Sequence, residues 1–335
     1  MAQMRETRFA YGDALVEVGQ AHPEVVVLDA DLYNSTRTVL FRNAFPERFF
    51  DMGIAEADMV STAAGMAASG LVPYVNSFAM FITAHCYDQI RIQVAYPRLH
   101  VVLAGSSAGL TQGADGASHQ SLEDVALMRA LPNMKVFVPA DGVETRAITL
   151  ALADLPGPSY IRLGRYPVPE LFDSGYRFEL GRAVTMRQGG ELTLIACGHM
   201  VNVALQAAEL LANRQVQATV LNMPTIKPLD REAVLRAMED TPLVVTIEEH
   251  SIIGGLGSAV AEVMAERVCR ARLIRLGTQD VFGESGTADE LLEKHGLTPA
   301  AIAARIRVPA PESAGRSRAR ATPGRRTPTP PRAWG

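Results

Sequence analysis

The sequence predicts an α/β protein made of two doubly wound domains. Short apolar, β-rich runs alternate with amphipathic helix-length stretches from one end to the other, as in a parallel sheet wound with helices. A segment with two prolines, Tyr166-Pro-Val-Pro-Glu-Leu-Phe172, runs into the polar stretch 173–178 and divides that alternation into two units. The 335 residues, 48% hydrophobic and 20% charged, are enough for roughly two domains with cores of their own.

In the first unit, residues 1–170, the predicted strands are 25–30, 49–53, 71–78, 99–105, 134–140 and 159–163, with helical patterns such as 56–69 and 122–130 between them. The second, smaller α/β unit, 171–308, has predicted strands at 192–197, 218–222, 243–248 and 273–276 and helices that include 201–211 and 258–265. From Pro309 the composition turns to Pro, Arg, Ser and Thr, with six Arg and one Glu up to Gly335, which predicts a disordered, solvated tail over 309–335.

Charge and cysteine content narrow the function classes. A net charge of -4 gives no overall basic field, so nucleic acid and anionic membrane are poor partners and a small-molecule substrate fits better. Cys86, Cys197 and Cys269 are widely separated and form no CxxC, which suggests neither a disulfide framework nor a zinc site and makes a reducing cytoplasm the default location. The opening MAQMRETRFAYG has no positive segment followed by an apolar run, and the apolar stretches elsewhere are of strand length.

The most informative stretch is Phe49-Phe-Asp-Met-Gly53-Ile-Ala-Glu56, where a strand ends in glycine and an acid opens an Ala-rich helix. Taken alone, a carboxylate at a helix start is ordinarily a cap or a charge matched to the helix dipole. Further along lie Asn76-Ser-Phe-Ala-Met-Phe81 and Gly113-Ala-Asp115-Gly-Ala-Ser-His119-Gln120. In order, these three resemble the GxxE motif, the aromatic segment and the GxDGxxHQ loop of the transketolase-like thiamine-diphosphate enzymes. Asp31-Leu-Tyr-Asn-Ser35, Leu163-Gly-Arg165 and Glu249-His-Ser-Ile-Ile-Gly-Gly-Leu-Gly-Ser-Ala259 also look like that family's pattern, and the similarity runs from about Arg8 to about Val308.

The resemblance implies a pyrimidine-binding domain followed by a transketolase C-terminal domain, and it assigns roles. Glu56 would hydrogen-bond N1′ of the cofactor's aminopyrimidine, favouring the imino tautomer that takes the proton from thiazolium C2, a task that needs a carboxyl group shielded from water. Phe78 would stack on the pyrimidine, Phe81 would line the same slot, and Asp31 would lie near the thiazolium face. His119 and Asp115 would bond sugar hydroxyls, with His119 also moving protons near the reacting carbonyl. Arg8, Ser35 and Arg165 would hold the phosphate of a phosphoketose. Apart from the resemblance, Phe78 and Phe81 read equally well as core, and the charged residues as ordinary surface groups.

The pattern is broken at two places. Ser106-Ser107 stand where the family has a histidine, and Ala84-His85-Cys86 where its split members have an arginine. The pyrophosphate and its Mg2+ or Ca2+ are held in the family by a GDG…N segment, and no GDG occurs here. The resemblance therefore implies the C-terminal subunit of a split transketolase, a transferase of ketol units active only with an N-terminal subunit that carries the diphosphate and metal site, in an α2β2 assembly. Gly254-Gly-Leu-Gly257 lacks the full GxGxxG of a nucleotide loop and reads as close helix–strand packing. Other readings are the β subunit of a 2-oxo-acid dehydrogenase, ketol transfer to a lipoyl or carrier-protein thiol, a deoxyxylulose phosphate synthase, and a non-catalytic scaffold.

Overall fold

The structure, a computed structural model, describes residues 4–307, so the predicted tail at 309–335 lies outside the described residues. In chain order the strands of the first half are β1 (Met4–Arg5), β2 (Val25–Asp29), β3 (Phe49–Asp51), β4 (Val72–Phe78), β5 (Val102–Ser106), β6 (Lys135–Phe137), β7 (Ser159–Arg162) and β8 (Val168–Pro169). Those of the second half are β9 (Val184–Arg187), β10 (Leu192–Ala196), β11 (Ala218–Asn222), β12 (Thr225–Lys227), β13 (Leu243–Ser251) and β14 (Arg272–Thr278). Every predicted strand has a counterpart, and the wound α/β fold class holds.

The larger sheet has the order β12-β6-β7-β5-β4-β2-β3, parallel from β6 to β3. Strands β2, β4 and β5 are buried along their whole length because helices cover both faces, which is why each opens on an apolar run and turns polar only toward its carboxyl end. The smaller sheet has the order β14-β13-β10-β11-β9, parallel except for the antiparallel edge strand β9.

The halves are more entwined than the sequence suggests. Strand β12, a Thr-Ile-Lys segment of the second half, pairs antiparallel with β6 at the edge of the first sheet. One continuous apolar cluster also joins Met128 and Val136 of the first half to Ile195, Leu221 and Val234 of the second. The predicted linker is tied down as well. Its β8 pairs with β1, the Leu171 and Phe172 amides donate to Asp141 Oδ2 at 2.6 and 2.9 Å, and Tyr176 Oη donates to Glu144 Oε1 at 2.6 Å. Its prolines fit because they sit in or beside a two-residue edge strand with few ladder bonds to lose.

Candidate active site

The parallel strands of the larger sheet end at the same edge, and apart from Arg8, in the helix Thr7–Ala21, the predicted site residues lie at or just beyond those carboxyl ends, the usual ligand edge of an open α/β sheet. Gly53, after β3, takes φ of 68°, a left-handed turn that costs glycine little and brings the chain round to Glu56. Glu56 is the first residue of the helix Glu56–Ala68, whose Ala-rich sequence favours helix and whose N-terminal dipole suits a carboxylate. Its side chain is buried, 7% exposed, and its Oε1 accepts from Ser77 Oγ at 3.1 Å. Among the described residues no donor reaches Oε2.

Ser77 and Phe78 close β4, so the carboxyl group and the aromatic residues converge on one strand end. Phe78 and Phe81 stack with centroids 5.9 Å apart and planes 28° from parallel. The His119 ring meets both edge-on, at 6.0 Å from Phe78 and 5.0 Å from Phe81. An exposed His85 also stacks on Phe81, with centroids 5.4 Å apart and planes 22° from parallel. Burial and the neighbouring Glu56 carboxylate push the Cys86 thiol up to about 12, so Cys86 is an inert apolar wall here.

A second group forms after β2. The buried Asp29 carboxylate accepts from Leu32 N at 2.7 Å, Thr36 Oγ1 at 2.7 Å and Thr38 Oγ1 at 2.8 Å. Burial raises its pKa to about 6 in spite of those donors. This knot shapes the turn in which Asp31, at φ 59°, stands exposed and Ser35 follows one helical turn later. Arg8 Nη1 donates to the Ser35 backbone oxygen at 2.9 Å, while Arg8 Nε pairs with Glu6 at 2.5 Å. Gly164 N donates to Thr7 Oγ1 at 2.7 Å, which ties the Arg8 helix start to the loop that carries Arg165.

The third group is Asp115 and Arg165. Arg165 Nη1 donates to Asp115 Oδ2 at 3.1 Å, and Gln112 Nε2 donates to the same oxygen at 2.5 Å. Both partners of this ion pair are substantially exposed. The structure thus brings Glu56, Phe78, Phe81 and His119 to one place and pairs Asp115 with Arg165. Arg8 and Ser35 meet through a backbone oxygen, and the Ser35 hydroxyl makes no hydrogen bond among the described residues. Ser106 and Ser107, in place of a histidine, are buried at the end of β5, with their hydroxyls 3.5 Å apart and Ser106 beside Phe78 in the sheet register.

Sequence reading passed over Asp29, Ser77 and His85 as site residues. An acid closing an apolar strand, with Thr36 and Thr38 just beyond, is the signal that would have found Asp29. Ser77 and His85 carry no local signal, since each acts through a neighbour distant in sequence or on the next turn. His250, read as structural, is buried with Nδ1 2.7 Å from the Ser251 oxygen. The Gly254–Gly257 run opens the helix Leu256–Ala265, where Leu256 N and Gly257 N donate to buried Glu248 at 2.7 and 2.8 Å and a Cβ on Gly255 would overlap Glu248 Oε2. It is the tight packing expected.

Known proteins resemble the chain over both halves. The transketolase pyrimidine-binding domain family matches residues 3–169, and the transketolase C-terminal domain family matches residues 181–302. A 6-deoxy-6-sulfo-D-fructose transketolase subunit of Clostridium sp. is 44% identical over 291 residues, 87% of this chain and 90% of that protein. One of the subunits of the apulose-4-phosphate transketolase of Phocaeicola vulgatus is 37% identical over 291 residues, 87% of this chain and 93% of that one. Among solved structures, a split-gene transketolase in the form of an inactive β4 tetramer is 50% identical and superposes with a TM-score of 0.84, covering 89% of this chain and 96% of that chain.

Proposed function

This chain belongs to the transketolase family, and from that premise we propose that it is the C-terminal, glutamate-bearing subunit of a two-subunit transketolase that moves a two-carbon ketol unit from a ketose phosphate to an acceptor. The family implies thiamine diphosphate as cofactor. The observation that carries the reading is the buried Glu56, its Oε2 without a donor among the described residues, at the strand end where Phe78 and Phe81 stack. That arrangement fits one half of a pyrimidine slot, with an acid at one side and flat apolar surface on another.

Bound there, thiamine diphosphate supplies the nucleophilic carbon that ketol transfer requires. Phe78 and Phe81 would hold the aminopyrimidine ring, and Glu56 would exchange a proton with its ring nitrogen. Ser77 keeps the Glu56 carboxyl oriented through Oε1 and leaves Oε2 for that exchange. Asp31 would stand toward the thiazolium ring. His119, held edge-on by the two phenylalanines, moves a proton at the carbonyl or hydroxyl oxygen of the reacting sugar, and Asp115 bonds a neighbouring hydroxyl. Arg8, Ser35 and Arg165 receive the sugar phosphate, for which Arg165 turns away from Asp115.

The pyrophosphate and its Mg2+ or Ca2+ fall to an N-terminal partner with the GDG segment that this sequence lacks, in an α2β2 assembly whose obligate interface buries on the order of 2,000 Å² or more. Calorimetric titration tests this. Magnesium and thiamine diphosphate bind tightly to the reconstituted pair and weakly to the chain alone, and only the pair transfers ketol units from a ketose phosphate. Tight, metal-dependent binding to the isolated chain would contradict the shared site.

A further inference from the structure

The smaller domain supplies none of the residues assigned to cofactor or substrate, yet it grips the loop that carries two of them. Gln120, next to His119, is buried, and its Nε2 donates to Gly113 O at 3.0 Å within the loop and to Glu284 O of the smaller domain at 2.8 Å. The opposing surface is shaped for it, since a Cβ on Gly283 would overlap Gln120 Oε1. At Gly116, where φ is 75°, a Cβ would meet Ser285 Oγ at 2.7 Å.

The near end of the loop is held from the same domain by a different group. Thr111 N donates to Glu249 Oε1 at 2.6 Å, and a Cβ on Gly109 would overlap that carboxyl group. Arg162 Nη2 then donates to both Ser121 O, at 3.2 Å, and Glu249 O, at 3.0 Å, closing the span at its far end. Between these anchors Asp115 and His119 are comparatively exposed, and the bonds recorded for their side chains run only to neighbours within the loop and to Arg165. The anchored backbone beneath them sets where they stand, together with the Phe78 and Phe81 rings against His119 and the Arg165 partner of Asp115.

We infer that the smaller domain acts as a clamp for the 109–121 loop, with Gln120 and Glu249 as positioning residues that set His119 and Asp115 against the substrate. The inference rests on the proposed function for the roles of His119 and Asp115, but the clamp itself is a property of this chain. Loss of one anchor lets the loop shift while the Glu56 helix and the Phe78–Phe81 pair, on other strand ends, stay in place. The defect is therefore in substrate handling and not in cofactor binding.

Two variants approach the contact from opposite sides. Gln120→Met keeps the volume and removes the donors; Gly283→Ala, at an ordinary backbone conformation, pushes the amide off Glu284 from the other domain. Hydrogen exchange is followed over residues 110–120 in the complex with the pyrophosphate-binding partner, together with steady-state kinetics. Both variants speed exchange in that loop and lower kcat/KM for the ketose phosphate by about tenfold or more, with KM raised and thiamine diphosphate affinity unchanged. The double variant is no worse than either single one, because both break the same contact. If Gln120→Met folds poorly, Gly283→Ala carries the test alone. Unchanged loop exchange, or faster exchange with kcat/KM within about twofold of wild type, overturns the clamp. If the wild-type complex transfers no ketol unit, the function fails, while the exchange measurement still decides whether the smaller domain holds the loop.

Discussion

The Asp29 carboxylate sits at the end of β2 with three donors converging on it, and those three bonds fix the turn that presents Asp31 and Ser35. Asp29→Ala takes the acceptor from the Leu32 amide and from the buried Thr36 and Thr38 hydroxyls, which are left with only each other and the Leu32 oxygen, so it lowers stability by about 2–3 kcal/mol in urea titration. In the complex it also raises KM for the phosphosugar. The aromatic pair behaves differently. Phe81 is only half-buried, so Phe81→Ala costs the fold little but removes one wall of the stack and weakens thiamine diphosphate by roughly tenfold in calorimetry. At this scale the candidate residues that gather at the end of β4 were legible, because the motifs name Glu56, Phe78, Phe81 and His119 in order. Their partners were not. Ser77 reaches Glu56 across 21 residues, and His85 reaches Phe81 only because a turn of π-helix, Phe81–His85, sets their rings face to face.

Among the elements, the long buried strands and the edge strands β3 and β14 were legible, while the short edge strands β9 and β12 were not. β2, β4, β10 and β13 are apolar enough to declare themselves, whereas β12 has three residues between Pro224 and Pro228 and β9 is half-exposed with little apolar content. The pairing of β12 with β6 is a long-range choice that no local pattern carries. The same holds for the buried ion pair joining the helix Asp124–Ala130 to β7, where Asp124 Oδ2 accepts from Arg162 Nε at 2.8 Å and from Tyr160 Oη at 2.7 Å. Burial alone would raise the Asp124 pKa, but the Arg162 guanidinium and its neighbours hold that carboxyl below the usual range. Arg162→Met leaves the carboxylate sealed without its partner and costs about 3–5 kcal/mol, read as a lowered urea midpoint, and frees the Ser121 and Glu249 carbonyls.

For the molecule as a whole, the contact between halves is polar at its centre as well as apolar. Glu144 accepts from Tyr176 Oη of the linker and from Asn222 Nδ2 of the second sheet, at 2.6 and 2.9 Å. Burial pushes its pKa up to about 7 from an ordinary 4.5. The folded chain therefore keeps a proton that the unfolded chain releases between those values. The resulting contribution to stability is complete below about pH 4.5 and is lost as pH rises through about 7. Melting temperature against pH from 5 to 8 falls less steeply for Glu144→Gln than for wild type, whatever the variant's starting level. An equal slope would mean that Glu144 does not change protonation on folding. The two-domain plan was visible in the strand–helix alternation and the proline-bearing segment that interrupts it, but its interlocking was not, because a shared core and a strand lent to the other sheet leave no trace in a single segment.

Ketol transfer as proposed depends on Glu56 exchanging a proton with a cofactor held between this chain and another. The most direct measurement is ketol transfer by the reconstituted complex carrying Glu56→Gln, with thiamine diphosphate occupancy checked by calorimetry. The complex is expected to bind the cofactor and to lose turnover by at least about a hundredfold, since the amide keeps the shape of the side chain but cannot give or take the proton. Full occupancy with a turnover near that of wild type would contradict it.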